Sequence, residues 1–221
     1  MERHFHEELK ELKQELFKMG TMVEIAIEKA IEAFLERNSK LAQEVIDQEA
    51  EVNKMELLID DKGHGISALR QPVAADLRLV TAILKINTDL ERMGDHAVNI
   101  AERTISLKQE LPLLDPNFSK MGQSVLRMVT DALNAFITDN TELALNILQR
   151  DDEIDRYNDE LNIRITQLME SNHSLIKTGI HGLIVAHNLE RIGDLTNNIA
   201  EDIIYMKQGR EVRHRVRKEV Y

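Results

Sequence analysis

Two segments of the chain place carboxylates at the spacing of a helical turn. Glu91-Arg92-Met93-Gly94-Asp95 and Glu190-Arg191-Ile192-Gly193-Asp194 each carry an acid at positions i and i+4. On an α-helix such residues share a face, and like charges there repel by about 0.2–0.5 kcal/mol. Asn99 and Asn198 extend each row by another turn. Two compensations are open: solvent together with the neighbouring Arg92 and Arg191, or a cation shared among several carboxylates. Carboxylate and amide oxygens are hard ligands, suited to Mg, Mn, Ca or Fe, with Zn also within range. Gly94 and Gly193 favour the cation, because a mid-helix glycine costs about 1 kcal/mol relative to alanine and is expected where another backbone comes close. The preceding helix of each unit would supply further ligands: Glu49 and Asn53 in one, Asp151 and Asp155 in the other. Asp47, Glu56 and Asp152 lie nearby. Carboxylates from two helices could bridge several divalent or trivalent ions in a multinuclear cluster.

Other chemistries find less support. His187 precedes Glu190 by three and shares its face; His96 follows Asp95 and points about 100° away. Both read as boundary residues. A ferritin-like di-iron site needs paired Glu-x-x-His motifs, and the chain offers a single one, Glu170-x-x-His173, at a helix junction. Gly63-His64-Gly65 lacks the remaining glycines and the lysine of a phosphate-cradling loop. His6-Glu7 has no second histidine at zincin spacing. With no Cys, thiolate zinc sites, iron–sulfur clusters, cysteine nucleophiles and disulfides are excluded. No catalytic residue is singled out, and the expectation is a protein that is not an enzyme; the alternatives are a metal-free helical scaffold and, behind it, a carboxylate-bridged metalloenzyme.

The elements that must position these rows are helices. Three Pro in 221 residues, no Trp and 4% aromatics argue against a β-sandwich or barrel, while 43% hydrophobic and 30% charged residues suit a folded domain. The net charge of −11 argues against nucleic-acid binding. No run of about 18 uncharged apolar residues occurs, and the start of the chain lacks the apolar centre of a signal peptide, so a cytoplasmic location is expected. Apolar residues at Leu9, Leu12, Leu16, Met19, Val23, Ala26, Ala30 and Phe34 step by three or four. They predict a first helix from about Phe5 to Arg37. A second is expected from Asn38-Ser39 to near Gly63–Gly65 or a turn later, and a third from Pro72 to about Leu107. A proline-bracketed linker, Leu111 to Asn117, follows. A fourth helix is expected from about Phe118 to Thr138, a fifth from Thr141 to about Glu170, and a sixth from Ser174 to Gln208, stopped by Gly209. Met19, Met22, Met55 and Met93 read as core filler.

The pattern is duplicated. Shifted by 99 positions, residues 91–105 match 190–204 at nine of fifteen places. Shifted by 102, Met19-Gly20 falls on Met121-Gly122, Ala33-Phe34 on Ala135-Phe136, Asn38 on Asn140 and Glu51 on Glu153. The expected fold is therefore all-α: two antiparallel three-helix bundles in tandem, residues 1–110 and 117–209, related by a pseudo-twofold axis, with a basic tail at 210–221. That tail could touch anionic lipid but reads as a solvated terminus.

Gln71-Pro72-Val73-Ala74-Ala75-Asp76-Leu77-Arg78, Asp89 to Asp95 and Asn188 to Asp194, in their tandem setting, resemble the PhoU family of phosphate-transport regulators. The resemblance covers about Phe5 to Gln208. It implies a cytoplasmic, non-enzymatic, dimeric protein. Its implied role is to restrain phosphate uptake by acting with a phosphate ABC transporter and a membrane sensor histidine kinase, at most peripherally to the membrane. It also implies iron, zinc or another cation at Glu91 and Asp95, and at Glu190 and Asp194. The family's acidic position on the second helix falls on Glu49 and Asp151, and its Asn/Asp position on Asn53 and Asp155. The first unit is expected to be the poorer in charge of the two.

Overall fold

The computed structural model describes residues 2–107, 115–210 and 212. Seven α-helices account for nearly all of them: α1 (Glu2–Glu36), α2 (Ser39–Arg70), α3 (Ala74–Leu107), α4 (Pro116–Thr138), α5 (Thr141–Leu148), α6 (Asp151–Ser171) and α7 (Ile176–Gln208), with a single 3-10 turn at His173–Leu175. Helices α1–α3 form one repeat and α4–α7 the other. Between the repeats, α3 packs along α7 and α1 against α4. Helix α2 covers α1 and α3, while α5 and α6 cover α4 and α7. The expected all-helical tandem bundle is what is found. The junction at 108–114, with most of the expected linker, and the basic tail beyond Val212 lie outside the described residues.

The duplication extends to the turns. Arg37 and Asp139, equivalent in the two repeats, both adopt left-handed backbone at φ 58° and 56°. The next residues, Asn38 and Asn140, cap α2 and α5 by accepting from the amides of Leu41 and Leu143 at 3.1 Å. Gly20 of α1 lies under Leu133, where an added Cβ would clash. Its counterpart Gly122 of α4 lies 2.8 Å, at its would-be Cβ, from Ile31. Ile31 and Leu133 are themselves counterparts, so each repeat lays the same side chain over the other's glycine, as a pseudo-twofold interface requires. Phe34 and Phe118 close the same interface edge to face at 4.9 Å.

Two expected boundaries moved. The fifth helix is two helices, broken at Gln149–Arg150. The carboxylates of Asp151, Asp152 and Glu153 occupy the first turn of α6 and favour the positive end of a restarted helix there. Helix α2 ends at Arg70, about a turn beyond Gly65 as expected, and runs through Gly63 because that glycine is a packing residue: its would-be Cβ lies 2.6 Å from Leu84. Pro72 sits outside α3 in the short α2–α3 connection, where Gln71 before it and Ala74 after it adopt left-handed backbone at φ 48° and 47°. Gly209 does stop α7, in left-handed backbone at φ 62°.

Candidate functional site

The first acidic row forms where α2 crosses α3. Val52, Ile59, Leu90, Met93 and Ala97 are buried on the facing sides, which fixes the helical phase that leaves Glu49, Glu56, Glu91 and Asp95 half-buried along the seam. Glu91 is held above the usual carboxylate range, first by burial, then by Asp95 and Glu56, with Glu49 adding to the same effect and Arg92 opposing it. Glu56 is raised as well, by burial and then by Asp60 and Asp95. These effects place Glu49, Glu56 and Asp95 within electrostatic reach of Glu91, and Asp95 within reach of Glu56. Among the described residues, no Lys, Arg or His forms an ion pair with any of the four. Asn53 belongs to the same seam, and its Oδ1 is buried without a hydrogen-bond partner. Beside it an apolar hollow of about 320 Å³ opens among Met22, Ile25, Val45, Val52 and Val98, with Gly94 in its lining and Glu49 and Asn53 as polar members.

The second row, between α6 and α7, is built differently. Asp194 Oδ2 accepts from Arg191 at 2.6 Å. Asp151 Oδ1 accepts from Asn197 Nδ2 at 2.5 Å. His187 Nδ1 lies 3.1 Å from Glu190 Oε2, so the expected shared face of His187 and Glu190 is found. Burial and then Asp194 raise Glu190, while His187 and Arg191 lower it; Asp155 adds a smaller upward push. Glu190 Oε2 makes no hydrogen bond of good geometry.

The remaining expectations separate. Asn99 and Asn198 are exposed, a turn beyond each row. Asp155 is exposed, while Glu49, Asn53 and Asp151 are half-buried. His96 points away from the row, as expected, into the α3–α7 interface, where its Nδ1 meets Asn188 Oδ1 at 2.8 Å. The close-approach argument for Gly94 and Gly193 fails. A Cβ on Gly94 would sit 3.5 Å from Val52, and one on Gly193 3.4 Å from Ile154, both ordinary contact distances. At the expected ligand positions the first unit is one carboxylate the poorer, with Asn53 against Asp155. Glu56 and Asp60 strengthen the first seam, whereas their counterparts in the second repeat are Asn158 and Asn162. In the sequence Glu56 stands out only as a neighbour of the row, and Asp60, which accepts from Asn87 Nδ2 at 3.0 Å, carries no repeated signal at all.

The donor chemistry of both rows suits a hard cation, and the orphaned oxygens of Asn53 and Glu190 are what such an ion would satisfy. As the side chains stand, no three His, Asp or Glu groups among the described residues converge on one point.

The PhoU domain pattern matches residues 16–104 and 118–203, one match for each repeat. The chain belongs to the PhoU family. It is 40% identical over 215 residues to the phosphate-specific transport system accessory protein PhoU homolog of Pseudomonas putida, covering 96% of this chain and 84% of that one. To the protein of the same name from Aquifex aeolicus it is 39% identical, with 96% of each chain covered. Among solved structures, PhoU from Pseudomonas aeruginosa superposes with a TM-score of 0.91 at 36% identity, over 93% of this chain and 100% of that one. The phosphate transport system regulatory protein PhoU from Streptococcus pneumoniae gives 0.88 at 33% identity, over 94% and 99%. No helix among the described residues is long and apolar enough to cross a membrane.

Proposed function

We propose that this PhoU-family chain is a cytoplasmic, non-enzymatic regulator that restrains phosphate import and phosphate-starvation signalling. In this reading it acts as a homodimer on a phosphate ABC transporter and its sensor kinase. The observation that carries the reading is the nearly full-length match, through both repeats, to proteins named as accessory to phosphate-specific transport. The geometry that supports an adaptor is a pair of repeats built of long helices, each with an acidic row along a helix seam. The decisive experiment measures phosphate uptake and starvation-gene expression in phosphate-replete cells lacking the gene. Uptake and expression that stay high support regulation; unchanged values rule it out. Light scattering that returns a single chain mass at micromolar concentration rules out the dimer.

The same proposal includes cation binding by the two rows: Glu49, Asn53, Glu91 and Asp95 with Asn99 at one, Asp151, Asp155, Glu190 and Asp194 with Asn198 at the other. A bound ion would supply positive charge where burial and repulsion raise Glu56, Glu91 and Glu190. Iron and zinc are the ions proposed first; Mn, Mg and Ca suit the same oxygens. The competing reading is a metal-free scaffold with solvated acidic faces, favoured by the Arg191–Asp194 ion pair, which already offsets part of the second row's charge. Elemental analysis after metal-free purification and reloading separates the two.

A further inference from the structure

The antiparallel α3–α7 interface has two ends, and their charges differ. Its register is marked by Arg78 Nε donating to Met206 O at 3.4 Å, Lys85 Nζ to Asp202 Oδ1 at 3.2 Å, and the contact of His96 with Asn188. Two further turns beyond His96 and back from Asn188 bring Arg103 opposite His181. At the first end the cation is matched, because Lys85 meets the buried carboxylate of Asp202. The pseudo-twofold counterparts of Lys85 and Asp202 are Ile184 and Arg103, so the other end holds a guanidinium where its twin holds an acid.

Nothing opposite balances that guanidinium among the described residues. Its acidic contact is with its own chain neighbour Glu102, to which Nη2 donates at 3.0 Å. Its Nε is buried without a hydrogen-bond partner, and so is the Nδ1 of His181. Two buried nitrogens on facing helices thus lack hydrogen-bond partners, and the guanidinium Nε–H among them calls for an acceptor. Lys177, exposed in the first turn of α7, adds a second cation, and the start of α7 carries no side-chain cap. Burial, then Arg103 and Lys177, hold the His181 imidazole below its usual range, so two cations face a ring that favours its neutral form.

We infer that Arg103, His181 and Lys177 form a binding site for a phosphate group, where the C-terminal end of α3 meets the start of α7. A guanidinium presents a planar set of N–H donors that suits a tetrahedral oxyanion, and the lysine adds a mobile point charge. The helix start adds its own partial positive charge. In a chain of net charge −11 such a cluster is a local exception to the surrounding field. The site lies away from both acidic rows, and it goes beyond the regulatory reading without depending on it.

The test follows the ring resonances of His181 by NMR at neutral pH and low chloride. Inorganic phosphate is one titrant, and phosphatidylcholine vesicles with and without phosphatidate are the other. Saturable shifts with inorganic phosphate assign a free ion. Shifts with phosphatidate vesicles alone assign a lipid headgroup. Arg103→Gln is expected to weaken the response at least about tenfold, the loss of one charge-assisted bond. Lys177→Gln, at an exposed position that leaves packing intact, is expected to weaken it several-fold. No saturable response to either titrant, or a response untouched by both substitutions, overturns the inference.

Discussion

The two acidic rows descend from one motif but handle their charge in opposite ways. In the second, Arg191 pairs with Asp194 and Asn197 donates to Asp151, while His187 lies 3.1 Å from Glu190 without a hydrogen bond of good geometry. In the first, the position matching His187 is Thr88, and Arg92 is exposed and acts on Glu91 only as a distant charge. Glu56 then crowds the seam, where the second repeat has Asn158. Duplication thus conserved the Glu-x-x-x-Asp spacing while the surrounding helices decided whether the charge was neutralised from within. If cations bind, the first row has more unmet charge to offer them.

Metal loading puts that difference to its hardest test. A cation present at a hundred times its dissociation constant stabilises the folded chain by about 2.7 kcal/mol. Most of that gain should vanish in Glu91→Ala with Asp95→Ala, and less of it in Glu190→Ala with Asp194→Ala. Thermal melts of metal-free protein titrated with Mn²⁺ or Zn²⁺ measure both. Equal losses would erase the contrast, and no loss in either would remove the metal reading altogether.

Arg191→Gln attacks the contrast from the other side by freeing Asp194. In metal-free protein it should cost up to about 1 kcal/mol, the upper range for a half-exposed ion pair. The unpaired second row should then bind cations more tightly than before. Urea denaturation and a repeated metal titration read the two effects, and an unchanged affinity would show that Arg191 does not compete with an ion.

The glycines give a smaller effect. Gly94→Ala should stabilise by up to about 1 kcal/mol, because helix propensity improves and the added Cβ meets Val52 at contact distance. Gly193→Ala should gain slightly less, being 0.1 Å tighter against Ile154 (3.4 against 3.5 Å). Chemical denaturation of the two variants side by side would show it. Destabilisation of Gly94→Ala would mean that the seam is closer packed than its backbone positions indicate.

These residues also show what could be read from the sequence and what could not. The helices and their duplication were legible because apolar spacing and the repeated Asn38/Asn140 caps are local signals. The break at Gln149–Arg150 was not, since apolar periodicity runs on through it and an acidic run reads equally as a helix face or a helix start. Glu91, Asp95, Glu190 and Asp194 announced themselves by repetition. Glu56 and Asp60 were obscured by the same comparison, because the second copy has Asn at both places. Which glycines are tight depends on the partner helix: Gly20, Gly63 and Gly122 meet side chains closely, while Gly94 and Gly193 do not.

The finest distinction lies in the pH dependence of the metal-free protein. Burial and its acidic neighbours hold Glu91 above its unfolded value of 4.5, so the folded chain keeps that proton more readily than the unfolded one. Where the folded state binds more protons, stability falls as pH rises. The stabilisation from Glu91 is therefore fully present below about pH 4.5 and is lost as pH climbs through the raised folded value. Glu91→Gln removes the charge and leaves the shape, so at neutral pH it should stabilise metal-free protein by about 0.5 kcal/mol, the scale of one like-charge pair at this spacing. The gain should shrink towards zero as pH falls below 4.5, where Glu91 is already neutral. The same substitution should weaken cation binding, so its sign should reverse once metal is added. For Glu190→Gln the neutral-pH gain should be smaller, since the variant also gives up the attraction of His187 and Arg191. Paired urea titrations across pH, with and without metal, measure all four quantities, and a larger gain at Glu190 than at Glu91 would invert the ranking of the two rows.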